Sequence, residues 1–165
     1  LQLRRSGFAL DLVRALGDAR VRPGRLDLEV TESALLAEEA QTRFLLNQIR
    51  EIGVGISLDD FGTGYSSLRY LNAFPFNNIK IDRSFVSEVG RRPDATSIVR
   101  AIVGLARDLR IGTIAEGVET AAQREWLVAE GCDMAQGYYF GKPAEVANLA
   151  RFFNASTPAA RVAAG

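Results

Sequence analysis

The sequence contains no histidine and one cysteine, Cys132, among its 165 residues. Without histidine, the chain cannot build a Ser-His triad, an imidazole general base or a zinc site with imidazole ligands. A single cysteine cannot form an internal disulfide, which fits a reducing compartment, and we predict a cytoplasmic location. Any catalysis must therefore use carboxylates, lysine, or metal ions bound through oxygen atoms.

The sequence also lacks a charge excess and a long apolar run. Twenty Lys and Arg residues balance twenty Asp and Glu residues, so the formal net charge is zero. This balance argues against DNA, RNA or an anionic membrane as the partner, and an anionic ligand would have to be held by local groups. We identify no signal peptide and no stretch long enough to cross a membrane. The 47% of hydrophobic residues is enough for one globular core.

Short β-rich segments alternate with helical patterns along the chain. We predict strands at residues 26–30, 55–60, 77–82, 112–118 and 134–140, and helices at residues 8–16, 42–52, 66–72, 97–109, 120–130 and 145–153. Gly17 and Gly131 are expected to end two helices, and Thr120 with Gln123 predicts a capping box. This order predicts an α/β fold with a parallel sheet covered by helices, either open and doubly wound or closed as a (βα) barrel.

Side-chain alternation along the predicted strands places polar groups on one face of the sheet. Leu26, Leu28 and Val30 take the face that packs on helices, so Asp27 and Glu29 point to the opposite face. The same rule turns further polar side chains inward on the next strands, namely Ser57, Asp59, Asn78, Lys80 and Asp82, and we place Glu116 at the mouth of the fourth strand. Because sites in parallel α/β folds lie at the carboxyl ends of the strands, these groups predict a functional site there.

Two adjacent acids, Asp59 and Asp60, stand in the segment ISLDDFGTGYSSL where the second strand is predicted to end. A turn that begins at Asp60 would let both carboxylates approach one point. Two carboxylates held so close together repel each other unless they share a divalent cation. Oxygen ligands favour Mg²⁺ or Mn²⁺, with Ca²⁺ as an alternative. Taken alone, such a dipeptide is more typical of a solvated turn or a helix cap, so the metal hypothesis depends on the other acids.

Lys80 is open to two interpretations. A lysine inside a barrel needs an acidic partner, and Asp59, Asp82 and Glu116 could form a structural salt bridge with it. Alternatively, Lys80 could take part in catalysis. From these residues alone, a magnesium-dependent barrel lyase or racemase, in which Lys80 abstracts a proton beside a carboxylate, competes evenly with other metal-dependent reactions.

Five motifs follow one another along the chain. They are LDLEVTES (26–33), ISLDDFGTGYSSL (56–68), IKIDRSFV (79–86), AEGVET (115–120) and QGYYFGKP (136–143). In sequence and order they resemble the motifs of the EAL domain, the bacterial cyclic di-GMP phosphodiesterase. The resemblance implies a modified TIM barrel that hydrolyses one phosphodiester bond of cyclic di-GMP to give linear pGpG.

The resemblance also implies a site with two Mg²⁺ or Mn²⁺ ions. Glu29 and Asp59 would bind the first ion, and Asp59, Asp60 and Glu116 would bind the second. Lys80 would assist the attacking water and neutralise developing charge, which makes Lys80 and Glu116 the candidate catalytic residues.

Three further residues receive supporting roles from the same resemblance. Glu32 would hold the loop of residues 61–68, and Asp82 would help to couple that loop to the site. Gln136 would lie near the ligand. Glu119, by contrast, is expected to be structural.

The sequence departs from the family pattern at its beginning. EAL domains have three strands ahead of those predicted here, and the tripeptide Glu-Ala-Leu does not occur in the chain. We therefore predict a partial EAL domain at residues 1–155, with five of the eight parallel strands of a TIM-type barrel and surrounding helices, and a disordered tail at residues 156–165. The first metal would keep only Glu29 and Asp59, so we expect the isolated chain to be weak or inactive.

The resemblance leaves an alternative function and several partners open. A catalytically degenerate EAL domain could bind cyclic di-GMP or a protein without hydrolysis. Open sheet edges could allow a homodimer. Sensory or GGDEF domains are expected upstream in the parent protein.

Overall fold

The computed structural model describes residues 7–36, 39–62 and 68–145. Within these ranges, strands and helices alternate around a five-stranded parallel sheet with the order β1-β2-β3-β4-β5. The strands are β1 (Asp27–Thr31), β2 (Gly55–Phe61), β3 (Asn78–Ile81), β4 (Gly112–Ala115) and β5 (Met134–Ala135). The helices are α1 (Phe8–Ala19), α2 (Glu32–Leu36), α3 (Glu39–Ile52), α4 (Leu68–Ala73), α5 (Arg83–Val86), α6 (Pro93–Leu109) and α7 (Ala121–Glu130). The predicted α/β fold with five parallel strands is confirmed.

The hydrophobic core lies on one face of the sheet. Strand residues on that face are almost fully buried, among them Val30, Ile56, Leu58, Ile79, Ile81 and Ala115. They form one cluster with apolar side chains of the helices, such as Leu46 of α3, Val99 of α6 and Leu127 of α7. The opposite face carries the polar residues that the alternation placed there, and in register across the sheet Glu29, Ser57, Asn78 and Gly112 stand side by side. No described helix combines the length and apolarity needed to span a bilayer.

The helix ends show what local sequence signals can and cannot predict. Thr120 caps α7, its side chain accepts a hydrogen bond from the Gln123 N–H, and the Gln123 side chain completes the predicted capping box. Gly131 ends α7 with a φ of 85°. The predicted end of α1 at Gly17 is wrong, because the helix continues to Ala19 and Arg20 takes the left-handed conformation there, with a φ of 53°. A glycine within a helical pattern is tolerated and need not end it.

The last two strands are shorter than predicted. β4 ends at Ala115, and β5 comprises only Met134 and Ala135. Beyond β5 the chain turns at Gly137, whose carbonyl accepts a hydrogen bond from the Phe140 N–H at 3.1 Å. The apolar sequence of residues 138–140 is typical of a strand, but here its three side chains are exposed.

Two short helices, α2 and α5, were not predicted, because they have only five and four residues. Such lengths are too short to show helical periodicity. Of the helix predicted at residues 145–153, only residue 145 is described, and it is not helical. The predicted tail at residues 156–165 lies outside the described residues, so both predictions stand untested.

We expect two glycine-to-alanine substitutions to have opposite effects on stability. A Cβ at Gly137 would overlap the backbone of Val118, so Gly137→Ala should lower the free energy of unfolding by about 1–3 kcal/mol. Gly104 lies inside α6, and an added Cβ there would meet no neighbouring group within 4 Å. Gly104→Ala should therefore raise the free energy of unfolding by about 0.5–1 kcal/mol. Urea denaturation followed by circular dichroism measures both, and a neutral Gly137→Ala would contradict the close approach.

Candidate active site

Three carboxylates surround the ammonium group of Lys80 on the polar face of the sheet. Lys80 Nζ lies 2.7 Å from Glu29 Oε1, 2.9 Å from Asp59 Oδ1 and 2.7 Å from Glu116 Oε1. The acids come from β1, from β2 and from the residue after β4, so the lateral order of the strands brings them together. Lys80 is 4% exposed, and protein carboxylates replace water around its charge. We call these four residues the Lys80 cluster.

Lys80 remains charged in spite of its burial. Burial by itself lowers the pKa of an amine, because it disfavours the charged form. Attraction by Glu116, Glu29 and Asp59 outweighs burial and raises the pKa of Lys80 above its ordinary value. The metal-free site therefore contains an ammonium ion at neutral pH. An ammonium ion can stabilise negative charge, whereas proton abstraction requires the neutral amine, so the raised pKa of Lys80 gives no support to the lyase or racemase hypothesis.

A bulge in β2 directs Asp59 and Asp60 towards one point. The register between β2 and β3 shifts between Leu58 and Phe61, and Asp60 takes a left-handed φ of 55°. A bulge bends its strand and re-aims the side chains near it. As a result, one carboxylate oxygen from each of Asp59, Asp60 and Glu116 lies within 4.8 Å of the others. We call these three residues the acidic triad, and their geometry agrees with the turn expected at Asp60.

The acidic triad could hold a metal ion. Its ligand atoms are carboxylate oxygens, the donors that hard divalent cations prefer. Asp59 Oδ1 is buried and lies 2.9 Å from Lys80 Nζ, and no other described group forms a hydrogen bond with it. A carboxylate oxygen can accept more than one contact, so a metal cation could bind Asp59 Oδ1 in addition to the ammonium group of Lys80. The residues present therefore fit a hard divalent cation.

Glu29 stands apart from the acidic triad. Sequence reasoning assigned it to a first metal together with Asp59, but in the structure its carboxylate contacts Lys80 and its side chain is 52% exposed. Both roles remain compatible with its place in β1, because carboxylates can exchange an ammonium contact for a metal contact.

The remaining predicted residues occupy different positions around the site. Gln136 Nε2 donates a hydrogen bond to Glu116 Oε1 at 2.8 Å. Asp82 is not among the partners of Lys80, which corrects the expected salt bridge, because it caps α5 by accepting a hydrogen bond from the Ser84 N–H at 2.9 Å. Glu32 begins α2 directly after β1. The loop assigned to it includes residues 63–67, which lie outside the described residues, so its role remains a prediction.

A cleft of about 550 Å³ opens beside Gln136. It is lined in part by Arg83, Glu119, Tyr138 and Lys142, and Arg83 Nη2 lies 3.0 Å from Glu119 Oε1. Sequence reasoning assigned no role to Arg83. The signal was available, since Arg83 and Glu119 follow the carboxyl ends of β3 and β4 within the recognised motifs.

Comparison with known proteins identifies the family. The family model described as "EAL domain" matches residues 1–143 of the chain. The chain belongs to the EAL domain family. This confirms the resemblance inferred from the five motifs.

Relatives of this EAL chain include enzymes of known structure. It is 45% identical over 143 residues to the bifunctional diguanylate cyclase/cyclic di-GMP phosphodiesterase MucR of Pseudomonas aeruginosa. The match covers 87% of this chain and 21% of MucR. The solved cyclic di-GMP complex of the MucR phosphodiesterase has a TM-score of 0.84 and 44% identity, over 90% of this chain and 60% of that one. The chain thus spans about a fifth of the full-length relative.

A second solved relative contains metal ions. Klebsiella pneumoniae BlrP1 has been solved with cyclic di-GMP and either manganese or calcium. It is 33% identical to this EAL chain with a TM-score of 0.80, over 87% of this chain and 36% of that one.

Removing the charge of Lys80 should destabilise the metal-free protein. Lys80→Met leaves the carboxylates of Glu29, Asp59 and Glu116 without their cation, and we expect the free energy of unfolding at pH 7 to fall by about 3 kcal/mol. The matched control is Arg69→Met, which removes an exposed ion pair with Glu39 and should change stability little. Urea denaturation in a chelating buffer measures both, and equal effects would show that the Lys80 cluster adds no stability.

Proposed function

We propose that this EAL chain is the catalytic part of a phosphodiesterase that hydrolyses cyclic di-GMP to linear pGpG with two Mg²⁺ or Mn²⁺ ions. The observation that carries this proposal is the acidic triad beside the buried ammonium group of Lys80. Hydrolysis of a phosphodiester needs cation sites for the phosphate oxygens and positive charge for the transition state, and the proposal is supported by carboxylates that could hold cations and by the nearby ammonium group. Relatives named as cyclic di-GMP phosphodiesterases support the substrate.

The described side chains divide the proposed chemistry between them. Asp59, Asp60 and Glu116 would hold one ion, and Glu29 with Asp59 would hold the other. Bound Mg²⁺ or Mn²⁺ supplies charge that polarises a phosphate and makes water more acidic. Lys80 lies beside the same carboxylates, so its ammonium can stabilise negative charge that develops on the phosphate oxygens.

Gln136 and the loop-supporting residues keep their proposed roles. The hydrogen bond from Gln136 to Glu116 fixes the orientation of that carboxylate, and Gln136 also lines the cleft in which a ligand could lie. We propose that Glu32 holds the loop of residues 61–68 and that Asp82 helps to couple it to the site, supported by their positions directly after β1 and β3.

The wider context of the chain is also a proposal. A relative that combines diguanylate cyclase and phosphodiesterase activities, and of which this chain covers 21%, supports GGDEF or sensory domains in the parent protein. We propose a homodimer on the basis of the two edges of the sheet, β1 and β5. A cytoplasmic location is proposed from the single, buried and free Cys132.

One observation favours a second candidate function. Glu29 lies outside the acidic triad and contacts Lys80 instead. With only the triad as ligands, the site would hold one ion. An EAL domain with a single ion could bind cyclic di-GMP or a protein without hydrolysing the dinucleotide.

Binding of Mn²⁺ should stabilise the folded chain. At a free concentration 100-fold above the dissociation constant, a ligand of the folded state adds about 2.7 kcal/mol to the free energy of unfolding, so the unfolding temperature should rise. Asp59→Asn should abolish the rise because Asp59 belongs to both proposed ion sites. Asp108→Asn removes an exposed acid on α6 and should leave the rise in unfolding temperature unchanged. Thermal unfolding with Mn²⁺ and with chelator measures the shift, and a shift retained in Asp59→Asn would place the metal elsewhere.

Turnover of cyclic di-GMP distinguishes the two candidate functions. With Mn²⁺ we expect slow formation of pGpG, and Glu116→Gln should reduce the rate by about 100-fold or more, because it removes a ligand charge at the centre of the site. Asp108→Asn serves again as the control, and chromatography of the nucleotides provides the measurement. Because the isolated chain is expected to be weak or inactive, the same assay on the parent protein decides between the candidates. Binding of cyclic di-GMP without pGpG there would support the second candidate, whereas the absence of both would contradict the proposal.

A further inference from the structure

A second polar cluster lies directly below the Lys80 cluster. Asp27 Oδ2 accepts a hydrogen bond from Ser57 Oγ at 2.7 Å and another from Asn78 Nδ2 at 3.2 Å. Asn78 Nδ2 also lies 3.2 Å from Ser57 Oγ, which closes the three contacts into a triangle. We call Asp27, Ser57 and Asn78 the lower polar layer. Its members come from β1, β2 and β3, so it ties three neighbouring strands together through their side chains.

The lower polar layer has the same strand order as the Lys80 cluster. Each of its residues stands two positions before a member of that cluster, in the pairs Asp27 and Glu29, Ser57 and Asp59, and Asn78 and Lys80. Side chains two positions apart on a strand share a face and lie roughly 6.6 Å apart. The lower layer is therefore the support on which three of the four residues of the Lys80 cluster stand.

Burial makes the geometry of this layer hard to replace. Ser57 is 1% exposed, so water cannot readily take over a hydrogen bond that its hydroxyl loses. On the neighbouring strand β4, a Cβ at Gly112 would lie 2.5 Å from Asn78 Oδ1, so a larger residue there would displace the amide. The absence of a side chain at Gly112 leaves the room that Asn78 needs.

The site above depends on how closely β1 is held to β2 and β3. β1 is at one edge of the described sheet and pairs only with β2, yet it carries Glu29. The carboxylates of the Lys80 cluster and the acidic triad repel one another, which favours separation of their strands. The bond between Ser57 and Asp27 opposes that separation on the face where the acids stand.

We propose that Asp27, Ser57 and Asn78 are positioning residues that set the spacing of the carboxylates and so the affinity of the site for a divalent cation. The hydrogen bonds of the lower polar layer do not include Lys80 or the acidic triad. The three residues act instead by fixing the register and the relative tilt of the strands. This inference rests on the proposed metal site, although its effect on Lys80 can be measured without metal.

A matched pair of variants tests the proposal. Ser57→Ala and Thr113→Val each remove a hydroxyl from a residue that is 1% exposed and hydrogen-bonded to an aspartate, Asp27 at 2.7 Å and Asp133 at 2.9 Å respectively. Thr113 stands in register with Ile79 on the helix-covered face, away from the site. We expect Ser57→Ala to weaken Mn²⁺ binding by about 10-fold or more, as removal of outer supports of metal ligands does, and Thr113→Val to leave it unchanged. Calorimetric titration measures the affinity.

A second pair separates the hydrogen bond from the charge. Asp27→Ala and Asp27→Asn both remove the negative charge, but the asparagine keeps an oxygen that can accept the bond from Ser57. Asp27 is exposed, so neither variant endangers the core. The positioning role predicts that Asp27→Asn retains more of the Mn²⁺ affinity than Asp27→Ala. Equal losses in both variants would mean that only the charge matters and would overturn the proposal.

A metal-free measurement keeps this inference distinct from the proposed function. The chain has two lysines, Lys80 and Lys142, and only Lys80 is buried, so its ammonium should give a slowly exchanging Nζ signal in nitrogen NMR. We expect Ser57→Ala to accelerate proton exchange at that signal, and Thr113→Val to leave it unchanged. If the unmodified chain bound no Mn²⁺, the proposed metal site would be wrong, and the Lys80 signal would still decide the positioning role. Equal signals in the two variants would overturn it.

Discussion

A buried ammonium ion among three carboxylates is the interaction on which the arrangement of the sheet depends. Lys80 could not be buried without partners, because an isolated charge inside a protein is far too costly. Its partners Glu29, Asp59 and Glu116 stand on three different strands or their ends, so the charge is compensated only when β1 to β4 are paired in the observed register. The ion cluster thus stabilises the correct sheet and penalises a shifted one.

The two faces of the sheet serve different purposes. The helix-covered face is apolar and supplies the stabilising burial, with side chains such as Ile56 and Ile79 that are 0% exposed. The other face is polar in two successive layers, of which Ser57 and Asn78 form part of the lower and Lys80 part of the upper. A shift of one strand by one residue would exchange the two faces, so the contrast between them specifies the register.

The sequence predicted the parallel sheet and the inward direction of Glu29, Asp59 and Lys80, because alternation along a strand is a local property. It did not predict that Lys80 would take Glu29 rather than Asp82 as a partner. That choice depends on the distance between β1 and β3 and on the short helix α5, whose first turn Asp82 caps. The pairing of side chains across strands and the capping of a neighbouring helix depend on tertiary geometry. The spacing of motifs along the sequence carries no information about that geometry.

Asp59 and Glu116 belong to both the Lys80 cluster and the acidic triad, and this sharing links the two. On one side, each carboxylate attracts the ammonium of Lys80. On the other, each presents an oxygen to the point where a cation would be held. When a cation neutralises more of the charge of Asp59 and Glu116, these carboxylates attract Lys80 less strongly. The ammonium group of Lys80 can then attract an anionic ligand more strongly. A site built in this way favours a phosphate only when a cation already compensates the negative charge of its carboxylates.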